Sequence, residues 1–392
     1  MRGQRLSDIQ WYLNRSRHIA YMAFLLPGRL SRAECTRLAG ELMAAFPRLS
    51  CQVDLEKSQR FEDCKSGPAE IVEVLPAGDA FEGLADLVAK LAAPFVPGVK
   101  PAFHCSMMHD RNNENTLLFF SAPHSVIEGV DAMKVVQKAP ERVRPGIGKK
   151  LARALLFLLV LPVSIAQIVV APLLAEPRHR FNRRILSIDR DAFRRAAREG
   201  GVSWQGLLTA TIAAAALGSL GQRLGLPRLL SAAEVPRQAS QLDDVSMTFR
   251  MRFGLVRLSS DLFLLAKRID RRLFSMSHRR IALYHLISAG LILHRKLASW
   301  LPFLYPDRSF QYFPAAMSFS VMPPARLHRF GRLAQAQFAV AGTNTPGLPS
   351  GIVMVFGNRL VLSLNLQGDG SGQLAEITRR LQVMGVDHEV LV

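Results

Sequence analysis

The sequence predicts a mixed α/β protein, on three observations. Of its 392 residues, 49% are hydrophobic and 21% are charged, which supports a sizeable core and argues against general disorder. Short apolar runs of strand length are mingled with longer segments of helical period. The two kinds follow one another with no strict alternation, which indicates α+β or mixed α/β rather than a pure class. The length suits two ordinary domains or one large two-lobed one.

Taken in order, residues 5–12 read as a short helix and 20–26 as a strand ended by Pro27-Gly28. Residues 31–46 form an amphipathic helix, with Ser31 as its cap, Glu34 at the capping-box position and Pro47 ending it. Strand-like pieces follow at 50–55 and 71–75, a helix at 81–91 and a strand at 102–108. The run Leu117, Leu118, Phe119, Phe120 reads as a short buried strand, broken by Pro123, and a third helix starts within 129–137. Residues 138–150, polar with Pro and Gly, read as a linker. Beyond it, 182–188 reads as a strand and 190–199 as a basic helix. Gly200-Gly201 then turns the chain, and Ser203 caps an Ala-rich helix over 205–218. Strands are expected at 245–257, 308–321, 334–340, 351–356 and 359–366, the last two joined at Gly357-Asn358. A final amphipathic helix covers 373–384. The expected division is a first lobe over 1–137, a linker and apolar crossover over 138–180, and a second lobe over 181–392.

Charge is unevenly placed. The formal net charge is +19, yet the first 140 residues carry 16 basic and 16 acidic side chains, leaving 34 basic and 15 acidic in the remainder. The excess concentrates in 178–198 and 267–280. Such a field attracts anionic surfaces: nucleic acid, acidic phospholipid head groups, or the phosphates of CoA or an acidic carrier protein. A DNA reader is disfavoured. The helix after Gly200-Gly201, with LLTATIAAAALG, has almost no group to read bases or phosphates.

The most apolar window, 154–175, carries no charge and has basic flanks on both sides. At ~1.5 Å per residue it could reach across a bilayer core of ~30 Å. Pro162 and Pro172 interrupt it, and the symmetric flanks set no orientation. The favoured reading is a kinked helix lying in the interface of an anionic membrane. A buried crossover helix between lobes and a true span are the alternatives. The N-terminus lacks a signal-peptide apolar core, and Cys35, Cys51, Cys64 and Cys105 form no C-x-x-C pair. A reduced, cytoplasmic protein with free thiols is expected, peripheral on the inner face of the cytoplasmic membrane.

The stretch that carries chemistry is LLFFSAPHSVIEGVD, residues 117–131. A His just past a strand end, with an acid four residues on and a Gly behind it, is a way to place and orient a general base. The candidates are His124, Glu128 and Gly129. This stretch resembles the His-His-x-x-x-Asp-Gly motif of the CoA-dependent acyltransferase superfamily. That superfamily includes peptide-synthetase condensation domains, chloramphenicol acetyltransferases and bacterial wax ester synthase/diacylglycerol acyltransferases. The motif's catalytic second His falls on His124, while Pro123 replaces the first His and Glu128 the Asp. The opening residues 7–30, the stretch 180–217 and the closing hairpin 351–369 resemble wax ester synthase-like proteins in the same order. There are departures: Gln205-Gly206 stands where the family has Asn-Asp, and SFSVMPPA only partly matches Asn-Val-Pro-Gly.

The resemblance implies a two-lobed chloramphenicol acetyltransferase-like fold, with mixed sheets flanked by helices and an active-site tunnel between the lobes. It implies transfer of an acyl group from acyl-CoA or an acyl-carrier protein to a hydroxyl or amine, with no cofactor and no metal. His124 would be the general base, Glu128 and Gly129 would hold the motif loop, and Ser318 and Ser320 would be candidate oxyanion or acyl contacts. No nucleic-acid partner is expected. The alternative is a non-catalytic, membrane-associated accessory protein on a decayed acyltransferase fold. Other chemistries find no support: the sequence has no H-E-x-x-H, no Cys/His cluster of zinc spacing, no G-x-S-x-G elbow and no P-loop.

Overall fold

The computed structural model describes residues 19–45, 47–54, 60–63, 67–90, 103–112, 114–123, 181–216, 227–234, 250–274, 316–322, 331–344 and 350–392. The first part of the chain contributes β1 (Ile19–Pro27), α1 (Arg32–Ala45), β2 (Cys51–Asp54), β3 (Arg60–Asp63) and α2 (Pro68–Ile71). It continues with β4 (Val72–Val74), α3 (Ala80–Lys90), β5 (His104–His109) and β6 (Asn115–Pro123). The second part contributes β7 (Phe181–Asp189), α4 (Arg190–Glu199), α5 (Trp204–Ala216), β8 (Pro227–Glu234), β9 (Arg250–Arg257) and α6 (Leu262–Ile269). It ends with β10 (Ala316–Met322), β11 (Phe338–Asn344), β12 (Ser350–Phe356), β13 (Arg359–Gln367), α7 (Ser371–Val383) and β14 (His388–Val390).

Local signals act where the sequence places them. At the start of α1 the Ser31 N–H donates to the Glu34 carboxylate at 2.8 Å and the Glu34 N–H donates to Ser31 Oγ at 3.2 Å, a reciprocal capping box. Asp189 accepts from the Ala192 N–H and caps α4, and Gly201 supplies the positive φ that turns the chain toward α5. Two readings differ. Residues 68–71 form a helical turn, so the strand expected over 71–75 is only β4. The strand expected from 334 begins at Phe338, after a 3-10 turn over Gly331–Gln335 that buries Leu333. Pairing takes over only where the Gln337 N–H reaches Leu25 O at 2.8 Å. β3, β8, α6 and β14 have no counterpart among the elements expected from the sequence.

The strands make two main sheets, ordered β11-β1-β6-β5-β4 and β14-β7-β13-β12-β10-β8-β9, beside the small pair β2-β3. In the first sheet only β4 and β5 run parallel; in the second, β10 runs parallel to both β12 and β8. One strand crosses between the halves of the chain. After β10 the chain leaves the second sheet, and β11 pairs antiparallel with β1 from Leu25↔Phe338 to Ile19↔Asn344. It then returns as β12. That crossing ties the end of the chain to its beginning.

Each sheet has one face covered by helices. The Leu360, Leu362 and Leu364 side of the second sheet packs against α4, α5, α6 and α7, with Phe193, Leu208 and Leu265 buried there. Phe24, Leu118 and Phe120 of the first sheet pack against α1. A third cluster joins the two halves. Tyr21, Phe119 and Val340 of the first sheet meet Ile185 and Val361 of the second, with Leu84 and Leu87 of α3 between them. Each fully buried side chain of this size contributes about 1.5–3 kcal/mol, so this cluster holds the lobes as one unit.

On α7, Glu376 accepts from Arg379 Nε at 2.8 Å and from Arg380 Nε at 2.7 Å. Those hydrogen bonds, Arg379's first, hold its carboxyl down at about 2, below the ordinary carboxylate range. A lowered folded pKa means its contribution is complete above the unfolded value of about 4.3 and is lost as pH falls toward the folded one. Melts of wild type and Glu376→Gln are therefore expected to differ near neutral pH and to converge in strong acid.

Candidate active site

β6 is a central strand, and its end is held firmly. Ser121 is in register with Tyr21 of β1 and with His104 of β5. Beyond it the β5 ladder stops, while β1 continues through Ala20↔Ala122 to Ile19↔Pro123. Pro123 has no N–H to give a ladder, and a strand end paired on one side is where that is tolerated. The backbone is thus fixed up to the residue before His124. His124, Glu128 and Gly129 themselves lie outside the described residues, as does the apolar window 154–175.

Ser318 and Ser320 lie on β10, two positions apart. Ser318 is in register with Ser231 on one side and Ser350 on the other; Ser350 is in register with Asn365, and Asn365 with Arg183. Among the described side chains, a polar row of Ser350, Asn365 and Arg183 therefore runs across β12, β13 and β7. Ser363, two residues before Asn365, shares this face, and its Oγ lies 2.6 Å from the Tyr21 hydroxyl of the first sheet. Ser363 and Asn365 thus face the first lobe.

Asn365 connects the two halves of the candidate site. Its Nδ2 donates to Thr343 O of β11 at 2.8 Å and to Ser350 Oγ of β12 at 2.7 Å, bracketing the two ends of the crossing. Asn344, next to Thr343, is in register with Ile19, which is in register with Pro123. The buried Asn365 amide thus ties β13 to β11, the strand that pairs with β1, which in turn pairs with the end of β6. Asn365→Ala removes both donors from a buried site. It is expected to cost about 1–3 kcal/mol, read as a lower melting temperature.

Two further groups pin the lobes beside this row. Burial pushes the Tyr21 phenol above its ordinary value, so it stays neutral and hydrogen-bonded to Ser363. Arg183 donates to Val88 O in the last turn of α3, where a cation also meets the negative end of the helix dipole. Burial pushes the Arg183 guanidinium below its ordinary value, and its Nε has no partner. Tyr21, Arg183, Ser350, Ser363 and Asn365 belong to no motif in the sequence. One signal was there. β13 reads Leu-Val-Leu-Ser-Leu-Asn-Leu over 360–366, a strand whose second face turns polar toward its end.

Among the described residues, no three His, Cys, Asp or Glu side chains gather closely enough to hold a metal ion. Among them too, no helix is long and apolar enough to cross a membrane. Cys35 and Cys105 are free and buried, with their sulfurs 3.4 Å apart.

No protein-family model matches the chain, and no curated protein matches it by sequence. Solved structures do match. The wax ester synthase/diacylglycerol acyltransferase from Marinobacter aquaeolei VT8 superposes with a TM-score of 0.58 at 13% identity, covering 97% of this chain and 98% of that one. The trichothecene 15-O-acetyltransferase from Fusarium sporotrichioides gives 0.61 at 12% identity, over 97% and 95% of the two chains. A peptide-synthetase cyclization-docking bidomain from Sorangium cellulosum gives 0.53 at 16% identity, over 97% and 83%.

The chain has the two-lobed acyltransferase/condensation fold.

Within that fold, the departure at Gln205-Gly206 has a local explanation. Ser203 Oγ accepts from the Gly206 N–H at 2.9 Å and caps α5. Asp270, in the π-helical extension of α6, accepts from the Ser203 N–H at 2.7 Å and from its hydroxyl. A side chain at 206 would overlap the Asp270 carboxylate. Here a carboxylate from a distant segment stands at the start of α5, and glycine leaves the room for it. The Ala-rich α5 is itself buried, with Leu207, Ala210 and Ala213 fully covered, so it offers no face to a DNA groove.

Proposed function

We propose that this protein is an acyltransferase. It moves an acyl group from a thioester, acyl-CoA or an acyl-carrier protein, to a hydroxyl or amine acceptor, with a lipidic hydroxyl preferred. The observation that carries this reading is a fold shared over 97% of the chain with acyl-transfer proteins, in which β6 ends one residue before His124.

In the proposed mechanism, donor and acceptor enter a tunnel between the lobes from opposite sides. His124 takes the acceptor's proton as its oxygen attacks the thioester carbonyl. The carbonyl becomes a tetrahedral oxyanion, stabilised by donors from the second lobe, for which Ser318 and Ser320 are the candidates. The carbon–sulfur bond then breaks, and the thiolate leaves with the proton returned by His124. Transfer is direct, with no acyl-enzyme. Glu128 holds the motif loop, by pairing with an arginine of the second lobe, and Gly129 permits its turn. No cofactor is invoked. The protein would act on the cytoplasmic face of the cytoplasmic membrane, drawn there by its basic second part.

Release of free CoA from a panel of acyl-CoA donors, with and without long-chain alcohols, diacylglycerol or long-chain amines, tests this. Acceptor-dependent thiol release supports it, and the acceptor class separates O- from N-transfer. Pro123 and Glu128, where the motif has His and Asp, favour a second reading: a membrane-associated accessory protein that keeps the fold and not the activity. In that case His124→Ala leaves the biological role intact.

A further inference from the structure

The two basic stretches of the sequence lie some seventy residues apart, and their described parts come together in the structure. The first is α4. Its exposed Asp191, Arg195 and Arg198 follow one another at helical spacing, with Phe193 and Ala197 buried on the other side. The second is α6 with its extension Asp270–Phe274, whose exposed side chains include Leu264, Lys267, Arg271 and Arg272. Both pack on the sheet face away from the first lobe, around α5. Their ends touch: Gly200, which follows α4, lies so close to the Phe263 ring at the start of α6 that a Cβ there would overlap it.

The resulting surface is strongly one-signed. α4, α6 and the extension hold eight basic and three acidic side chains. Most of the nearby carboxylates are already engaged. Asp270 holds Ser203, Asp261 accepts from the Leu264 N–H to cap α6, and Asp191 pairs with Arg190. Amid these cations stands an apolar side chain. Leu264 is 41% exposed, one of four large hydrophobics so exposed among the described residues, and Lys267 and Arg271 lie three and seven positions on. Cations alone would fit any polyanion. A leucine on the same stripe fits a surface with phosphates above and hydrocarbon beneath.

We propose that the exposed faces of α4 and α6 form the surface on which this protein docks to an anionic phospholipid membrane. This deepens the membrane part of the proposed function and rests on it, independently of the transfer chemistry. Arg195, Arg198, Lys267 and Arg272 meet lipid phosphates, and Leu264 enters the head-group layer. The second lobe's sheet then stands away from the bilayer behind its helices.

The test is co-sedimentation of the full chain with vesicles of equimolar phosphatidylglycerol and phosphatidylcholine, and with pure phosphatidylcholine. Wild type is expected to pellet with the anionic vesicles at low salt and to be released by added salt. Neutralising a basic side chain costs about fivefold in partitioning. The variant Arg195→Gln/Arg198→Gln/Lys267→Gln/Arg272→Gln is therefore expected to lose on the order of a hundredfold or more. The pair Lys267→Gln/Arg272→Gln, a milder change, is expected to lose about twenty-fivefold with an unchanged melting temperature. Leu264→Ser is expected to weaken binding without altering its salt dependence. Wild-type binding that survives in the folded variants would overturn the assignment of this surface and leave membrane association to another segment. Wild type that never pellets would overturn membrane association itself, with thiol-release activity judged separately. A duplex oligonucleotide that binds the same residues and strips the protein from vesicles would overturn lipid as the occupant.

Discussion

Replacing His124 with alanine is expected to slow acyl transfer by about 10²- to 10⁴-fold, the span that a positioned general base contributes. The loss should fall on kcat. In the proposed mechanism the imidazole matters when a proton moves and makes no large contribution to donor binding. Wild-type kcat should also fall as pH drops below the imidazole's own pKa, because the protonated ring cannot accept the acceptor's proton. His124→Ala should be slow at every pH and lose that dependence. Its melting temperature should match wild type, since the strand that precedes it is held by β1 through backbone pairing that a side-chain truncation does not touch. An alanine variant with full thiol release and an unchanged pH profile would mean that another group is the base.

The second large effect is structural. Gly342→Ala is expected to destabilise the protein by about 1–3 kcal/mol, the usual cost of overpacking, and Gly342→Val by more. Gly342 is where β11 passes between the halves of the molecule. It is in register with Tyr21, and a Cβ built there would overlap the Tyr21 ring and hydroxyl and the Ser363 hydroxyl. None can retreat freely, because Tyr21 is buried and hydrogen-bonded to Ser363 across the lobes. Each kcal/mol should lower the melting temperature by roughly 1 °C for a chain of this length, given about 2.1 cal/mol/K of unfolding entropy per residue. If the crossing is the cause, Gly342→Ala and Tyr21→Ala should be far from additive, since the second removes what the first strikes. A fully additive pair would place the cost elsewhere. Gly357 is the useful contrast: its φ of +54° asks for glycine in the β12–β13 turn, yet the space around it is open, so alanine there meets strain without a clash.

Several elements were legible in the sequence because their causes are local. The capping box Ser31/Glu34, the Ser203 cap and the Gly357-Asn358 turn each depend on neighbours within a few residues. The mixed α/β class followed from periodicity. The placement of β11 did not. Its pattern marks a strand, but nothing within seven residues says that it will pair with β1, more than three hundred residues earlier, rather than with its neighbours. The polar row shows the same limit. Ser318 and Ser320 were found through a partial motif, whereas Ser350, Ser363 and Asn365 become meaningful only when register sets them side by side and Tyr21 and Thr343 arrive from the other lobe. The two basic stretches were visible as composition. That α4 and α6 adjoin through Gly200 and Phe263 is a tertiary fact.

The central claim is acyl transfer by His124 to a lipidic acceptor, and its most direct measurement is mass spectrometry of lipid extracts. Cells expressing wild type are compared with cells expressing His124→Ala at equal protein levels. An acylated lipid present with wild type and absent with the variant is the predicted result, and its mass gives both the acyl chain and the acceptor. Identical extracts, with both proteins folded and membrane-bound, would contradict the account and favour the non-catalytic reading.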